Sequence, residues 1–273
     1  NGVNVNIATL QPASSSTPPD LPPWIIMPRP EIMLKSGRQS DGIKVLSAFS
    51  ERDDVVTEAL PSAPRQVRQS TFSIWQLGRK NIPAGSRQRV KIQEDVWPAD
   101  FTHLVRPRLS AQAFVRAAVN LPEPTEIPSG EAMFMLDGAI LGKRRFAFAG
   151  KEGTFFFGED PFVTAHLVLV SKKAGEKTFL ENKQTCKWDW RIDVKNARTS
   201  PARIRIEEPS PQSRDERIKL SIQHDPPPSE QNSATLIWSF DLPPGQKKSI
   251  LTAISLTAPG DMNLDMGWAG DNR

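Results

Sequence analysis

The sequence predicts an all-β protein, an antiparallel sandwich or barrel-like first part followed by an immunoglobulin-like C-terminal sandwich. Three observations predict it. Apolar residues recur at every second position in many short segments, the period of a strand with one buried face. Proline supplies 25 of the 273 residues, and a helix-interior proline costs about 3 kcal/mol, so strands joined by turns are favoured. Turn-forming residues interrupt the apolar segments about every ten residues, the spacing of short antiparallel strands.

Taken in order, Val3, Val5 and Ile7 alternate with Asn4 and Asn6 and form a first strand, ended by Pro12 and the loop 14–19. Residues 21–68 are Pro-rich and then charged, an excursion from the first domain. Within it Ser50 caps a short helix over 51–60, where Asp53 and Asp54 suit the first turns. Strands follow over 72–75, 87–92, 101–105 and 111–119. The pair Asp137-Gly138 between Met133-Phe-Met-Leu136 and Ala139-Ile-Leu141 predicts a hairpin, because both residues tolerate the positive φ of a type I′ turn. Gly150-Lys-Glu-Gly153 likewise separates 145–148 from 154–157 as a turn.

From Ala165 a second block begins. Cys186, Trp188, Trp190, Ile192 and Val194 alternate with Lys187, Asp189, Arg191 and Asp193, so one face is core and the other meets water. The same rhythm recurs over 203–206, 218–222 and 234–240, and Leu242-Pro-Pro-Gly245 turns into a last strand over 247–256. The expected organisation is a β domain over 1–164 carrying the excursion at about 21–68, a sandwich over 165–259 of ordinary domain size, and an aperiodic surface tail over 260–273.

Composition narrows the function. The 35 basic and 31 acidic residues leave a net charge of +4 spread along the chain, unlike the clustered stripe of a nucleic-acid binder, so no nucleic-acid partner is expected. No run approaches the roughly 18 apolar residues of a membrane helix, so no transmembrane segment is expected. The lone Cys186 has no partner for an internal disulfide and reads as a small buried hydrophobe. Tyrosine is absent, which removes phenol acids and Tyr stacking platforms. The chain opens on Asn1 without an initiator Met or an apolar leader and reads as starting inside a longer gene product.

Several segments, in order, resemble the DUF4139 domain of proteins labelled mucoidy inhibitor A-like. They are Val3-Asn-Val-Asn-Ile-Ala-Thr-Leu-Gln-Pro12, Pro19-Asp-Leu-Pro-Pro-Trp24, Phe114-Val-Arg-Ala-Ala-Val-Asn120, Ile127-Pro-Ser-Gly130, and Phe134-Met-Leu-Asp-Gly138 with Gly142. Glu152-Gly153, Gly158-Glu-Asp160, Val194-Lys-Asn196, Trp238 and Leu242-Pro-Pro-Gly245 continue the resemblance, which covers about 3–259. It implies a domain that in longer relatives follows a smaller N-terminal domain and a coiled coil, with strands preceding Val3 missing here. It leans toward a bacterial periplasm or cell-envelope protein and transfers no catalytic residue. The sequence departs from the pattern in lacking aromatics near the strand 254–257.

The residues themselves carry little chemistry. His103, His166 and His224 are widely separated and lack metal-ligand spacing, and no nucleophile elbow, phosphate loop, dinucleotide fingerprint or zinc-protease pair occurs. No catalytic residue, metal or cofactor is expected. His103 reads as a half-buried strand histidine, and Glu159-Asp160-Pro161 as a turn, with a minor reading of each as part of an unfamiliar enzyme site. Glu207-Glu208, adjacent on a strand, point to opposite faces and read as solvated charge. A basic run of Arg79, Lys80, Arg87, Arg89, Lys91, Arg106 and Arg108 offers a surface for acidic polysaccharide, lipid headgroups or an acidic partner. The candidate binding residues are Arg87, Arg89, Lys91, Trp97, Arg106 and Arg108. Trp188, Trp190 and Trp238 read as core, whereas Trp24, Trp97 and Trp268 lie in loops where exposed indoles suit sugar stacking.

The expectation is therefore a non-catalytic all-β scaffold or protein-interaction domain of a bacterial envelope-associated protein, working through a protein partner or self-association. The alternative is a binding module for acidic surface polysaccharide.

Overall fold

The computed structural model describes residues 17–29, 65–68, 73–76, 91–178 and 182–269, and the protein is nearly all β. The expected strand at 3–7, the helix at 51–60, and Arg79, Lys80, Arg87 and Arg89 lie outside the described residues. In chain order the strands are β1 (Trp24–Pro28), β2 (Arg65–Arg68), β3 (Ser73–Gln76), β4 (Ala99–Val105), β5 (Gln112–Leu136), β6 (Ala139–Thr178) and β7 (Lys183–Asn196). They continue with β8 (Ala202–Pro209), β9 (Pro211–Ser213), β10 (Lys219–Asp225), β11 (Glu230–Gln231), β12 (Thr235–Leu242), β13 (Lys247–Pro259) and β14 (Leu264–Asp265).

The chain forms two compact units, residues 33–97 and residues 1–32 with 98–273. The described part of the smaller unit is the antiparallel pair β2–β3, in which Val67 is in register with Ile74, and the segment 91–97. Lys91 and Ile92, expected to end a strand, lie outside any strand.

The larger unit is built on one nine-stranded sheet in the order β10-β13-β7-β6-β5-β4-β8-β12-β11. Alternation sets its faces: Cys186, Trp188, Ile192 and Val194 are buried, while Lys187, Asp189 and Lys195 are exposed. Val163, Ala165, Ile192, Val194 and Ile250, from β6, β7 and β13, share one core with Ile204, Ile206, Leu236, Trp238 and Leu242, from β8 and β12. Neighbouring strands stand about 4.8 Å apart, so these residues meet only because the sheet curls over and packs as a sandwich against itself. The expected sandwich is thus made by one sheet, and the position 164/165, expected as a domain boundary, lies inside β6. Among the described strands antiparallel pairing has two exceptions, β4–β8 and β1–β9, which are parallel.

A second cluster closes the end of the sandwich formed by β7, β10 and β13. Trp24 and Ile26 of β1 and Leu264 of β14 pack there with Cys186, Trp188, Ile254 and Leu256. The expected surface tail is corrected accordingly. Although it has no period, β14 pairs antiparallel with β1, and a 3-10 turn at Gly267–Ala269 follows.

The expected hairpin is present: Asp137 and Gly138 take φ of 49° and 82° between β5 and β6. The turn expected at 150–153 is not, because β6 runs through it without reversing. Glycine serves a different purpose there. Gly150, at φ 137°, sits beside a shift of register between Asn120 and Thr125, and further shifts follow at Ile127/Gly130 and Phe134/Met135. Such bulges bend a ribbon without ending it. Beyond Val119 the described partner of β5 is β6 alone, and this two-stranded ribbon curls back. An extended strand from 142 to 157 would span about 50 Å, yet Phe134, paired with Gly142, lies 5.9 Å from Phe157, ring to ring. Phe146, Phe155 and Phe148 continue the row, with ring separations of 5.8 Å from Phe134 to Phe146, 5.5 Å from Phe146 to Phe155 and 5.7 Å from Phe155 to Phe148. Arg144 fastens the curl, donating to the carbonyl of Phe156 at 2.9 Å with its guanidinium 3.8 Å from the Phe134 ring centre.

Candidate functional site

Three groupings of chemistry-bearing side chains stand out. The first is a buried cation. Arg108 follows β4, and its Nε donates to Glu208 of β8 at 3.0 Å. Both side chains are almost wholly enclosed. The rings of Trp24, Trp190 and Trp268 surround the guanidinium at 4.8, 5.1 and 5.3 Å. Trp24 is fixed by its own bond, Nε1 to the carbonyl of Met266 at 3.1 Å. Burial pushes the Glu208 carboxyl up and outweighs the opposing pull of Arg108. The cage carries a cation of its own chain and so joins β1, β7, β8 and the 3-10 turn at Gly267–Ala269.

The second grouping brings together two residues named separately from the sequence. His103 on β4 donates from Nε2 to Asp160 on β6 at 3.0 Å, and Arg198 pairs with the same carboxylate oxygen. The other oxygen of Asp160 accepts the backbone N–H of Phe162 at 2.9 Å. Burial alone would raise the Asp160 carboxyl, but the bonds from His103, Phe162 and Arg198 together hold it at about 2. The Nδ1 atom of His103 is buried without a partner among the described residues. The Asp160 carboxylate is held by three donors of its own chain, and no serine, threonine or cysteine side chain bonds His103 among the described residues. The described bonds of the grouping thus fix His103 and Arg198 onto one carboxylate of β6.

The third is the outer face of the ribbon tip. While Phe134 and Phe146 face inward, Met133, Met135 and Ile140 are 52, 50 and 57% exposed. Met135 stands opposite Ile140, Met133 opposite Lys143, and Glu131 opposite Arg145, so the apolar triplet is bordered by both signs of charge. Lys143 also reaches Glu131 at 2.7 Å.

Of the sequence-expected binding residues, the two described in the larger unit are each bonded to a carboxylate. Arg106 is turned onto Glu207 at 2.8 Å and onto the carbonyl of Pro19, and Arg108 onto Glu208. Arg87 and Arg89 lie outside the described residues; Lys91 is exposed beside Glu94, and Trp97 is half-buried, both in the smaller unit. Glu207 and Glu208 do point to opposite faces, but the half-buried Glu207 and the buried Glu208 are partners of arginines and not solvated charge. For Glu207 burial raises the carboxyl, and the bonds from Arg106 and Arg205 reverse this and hold it low. Trp24, expected in a loop with an exposable ring, is 2% exposed. Trp188 and Trp238 are core, and Trp190 is half-buried. Cys186 is buried, His166 is exposed, and His224 bonds Thr252 through Nδ1 at 3.0 Å.

The pairing signal was present in the sequence but non-local. Arg106 follows β4 and Glu207 follows Ile206 of β8, and the parallel register of Val105 with Ile206 places those two positions side by side. Among the described residues no group of three or more His, Cys, Asp or Glu is arranged to hold a metal ion, and no helix is long and apolar enough to cross a membrane.

The family model described as Domain of unknown function (DUF4139) matches residues 1–260. No curated protein and no solved structure matches the chain.

Proposed function

The chain belongs to the DUF4139 family, and from that membership and the geometry above we propose that it is a non-catalytic β scaffold that works through protein contacts. The observation that carries this reading is the contrast between inside and outside. The chemically capable groups Arg108, Glu208, His103 and Asp160 are bonded to one another within the fold. What the ribbon presents outward is the apolar triplet Met133, Met135 and Ile140. Exposed apolar groups rimmed by charge mark protein contact surfaces.

The partner we assign to this face is a second copy of the chain. The border of the triplet holds Glu131 and Asp137 beside Lys143 and Arg145. A two-fold axis through a patch that carries both signs sets the apolar centre against itself and lets opposite charges of the two copies meet at its border. A bacterial cell-envelope setting belongs to this reading and rests on the family resemblance alone.

Sedimentation velocity over a wide concentration range tests it. The wild type is expected to shift toward a dimer as concentration rises, and Met133→Ser/Met135→Ser/Ile140→Ser to remain monomeric with an unchanged fold by circular dichroism. A wild type that stays monomeric throughout, or a triple variant that dimerises as well as the wild type, would overturn the assignment.

A further inference from the structure

A separate site lies on the outward face of the half-sheet formed by β6, β7, β13 and β10. The register lines up Lys173, Lys187, Ser255 and Ser221 in one row across the four strands, and Ser171, Asp189, Ala253 and Gln223 in the next. Together they line a depression of about 420 Å³. Its peculiarity is the first pair. Lys173 and Lys187 are directly opposite, and side chains so placed have Cβ atoms about 4.5–5.5 Å apart, a like-charge arrangement that destabilises a sheet.

No ion pair among the described residues relieves it. Both lysines are exposed, and neither has an ion pair among the described residues. Asp189, on the same face, accepts the Ser171 hydroxyl at 2.5 Å. The remaining groups that face the depression from β13 and β10, Ser221, Gln223 and Ser255, are neutral. The other like-charged pair on the sheet, Lys195 opposite Lys247, differs, because the charge of Lys247 acts on Asp193 on the same face.

The backbone is also arranged for this spot. Register shifts between Leu169 and Ser171 and between Ala174 and Glu176 bracket Ser171 and Lys173 on β6. Bulges re-aim side chains and are over-represented at sheet edges and next to active sites. Two cations with no ion pair among the described residues, beside a row of hydroxyl, amide and carboxylate groups, match a ligand that carries both an oxyanion and hydroxyls.

We infer that this depression binds a carboxylated saccharide, with Lys173 and Lys187 sharing the carboxylate and Asp189, Ser221, Gln223 and Ser255 receiving hydroxyls. It is distinct from the ribbon tip and does not depend on self-association. It also differs from the basic surface expected from the sequence, since Arg106 and Arg108 are committed to Glu207 and Glu208.

Calorimetric titration of the full chain with polygalacturonate, and with its methyl ester at equal ionic strength, tests the site. Saturable binding to polygalacturonate is expected. Lys173→Ala/Lys187→Ala should weaken it by about tenfold or more, the loss of one or two charge-assisted hydrogen bonds. Lys195→Ala/Lys247→Ala, which removes the same charge elsewhere, should stay within about twofold, the size of a loss in non-local charge steering alone. The methyl ester should bind no better than the Lys173→Ala/Lys187→Ala protein binds polygalacturonate. The ligand-free Lys187→Ser and Lys173→Ala/Lys187→Ala proteins should each melt at a higher temperature than the wild type, because the like-charge contact is gone, which also shows that they fold. Equal weakening in the two double variants, equal binding of the ester, displacement by inorganic sulfate at matched ionic strength, or no binding at all would each overturn the assignment.

Discussion

Arg108 and Glu208, 100 positions apart, meet at 3.0 Å inside a cage of three tryptophans. This pair ties the strand that precedes the long hairpin to the strand that pairs beside it, and the Trp24 and Trp268 rings tie both ends of the larger unit to the same point. Residues distant in sequence depend on one buried charge.

Replacing Arg108 by Ala leaves Glu208 enclosed without its cation. A buried pair broken on one side costs about 3–5 kcal/mol, whereas replacing both members by apolar residues of similar size is near neutral. Arg108→Ala is therefore expected to lose most of that amount in urea unfolding, and Arg108→Met/Glu208→Leu to recover most of it.

Acid should weaken the fold partly through Asp160. Its carboxyl is held at about 2 against an ordinary 3.8, so its contribution is fully present above about pH 4 and is lost as pH falls through 2. A shift of that size corresponds to about 2 kcal/mol. Wild type and Asp160→Asn, compared by urea unfolding between pH 6 and 2, should differ by about this amount at pH 6 and converge toward pH 2.

The C-terminal segment should behave as part of the core. Leu264 is buried against Trp24 and Ile26 in the second cluster. Leu264→Ala is expected to cost about 2–3 kcal/mol, in the range for truncating a buried leucine, and a surface tail would show almost no change.

Gly153 tests the curl of the ribbon. A Cβ built there would stand 2.7 Å from Phe148 Cε2 and 3.0 Å from Phe155 Cζ. Gly153→Ala should push the two rings apart, cost about 1–3 kcal/mol, and speed hydrogen exchange in the ribbon more than in β7 or β13.

Much of this fold was legible in the sequence, because alternation is a local signal. The run from Cys186 to Val194 gave its faces directly, and Asp137-Gly138 gave its turn. Glycine at 150 and 153 misled, since a glycine inside an apolar run marks a tight turn or a bulge alike, and only the partner strand decides between them. The tail was missed because β14 and the 3-10 turn are too short to show a period, and they are held by tertiary contacts with β1. The candidate sites were the least legible. Arg106 and Arg108 looked like a basic surface because their carboxylates lie about 100 residues away, across a parallel pairing that no local pattern announces. The Lys173 and Lys187 pair is invisible for the same reason, as it exists only in the register of β6 with β7.

The central claim, that the outer face of the ribbon tip joins two copies of the chain, is tested most directly by a cross-link across the axis. Cys186 is the single cysteine and is buried, so Met135→Cys in a Cys186→Ser background places one thiol on the patch. Mild oxidation is expected to give a covalent dimer rapidly, while His166→Cys in the same background, an exposed position outside the patch, stays monomeric. Equal and slow dimer formation by the two proteins would contradict the account.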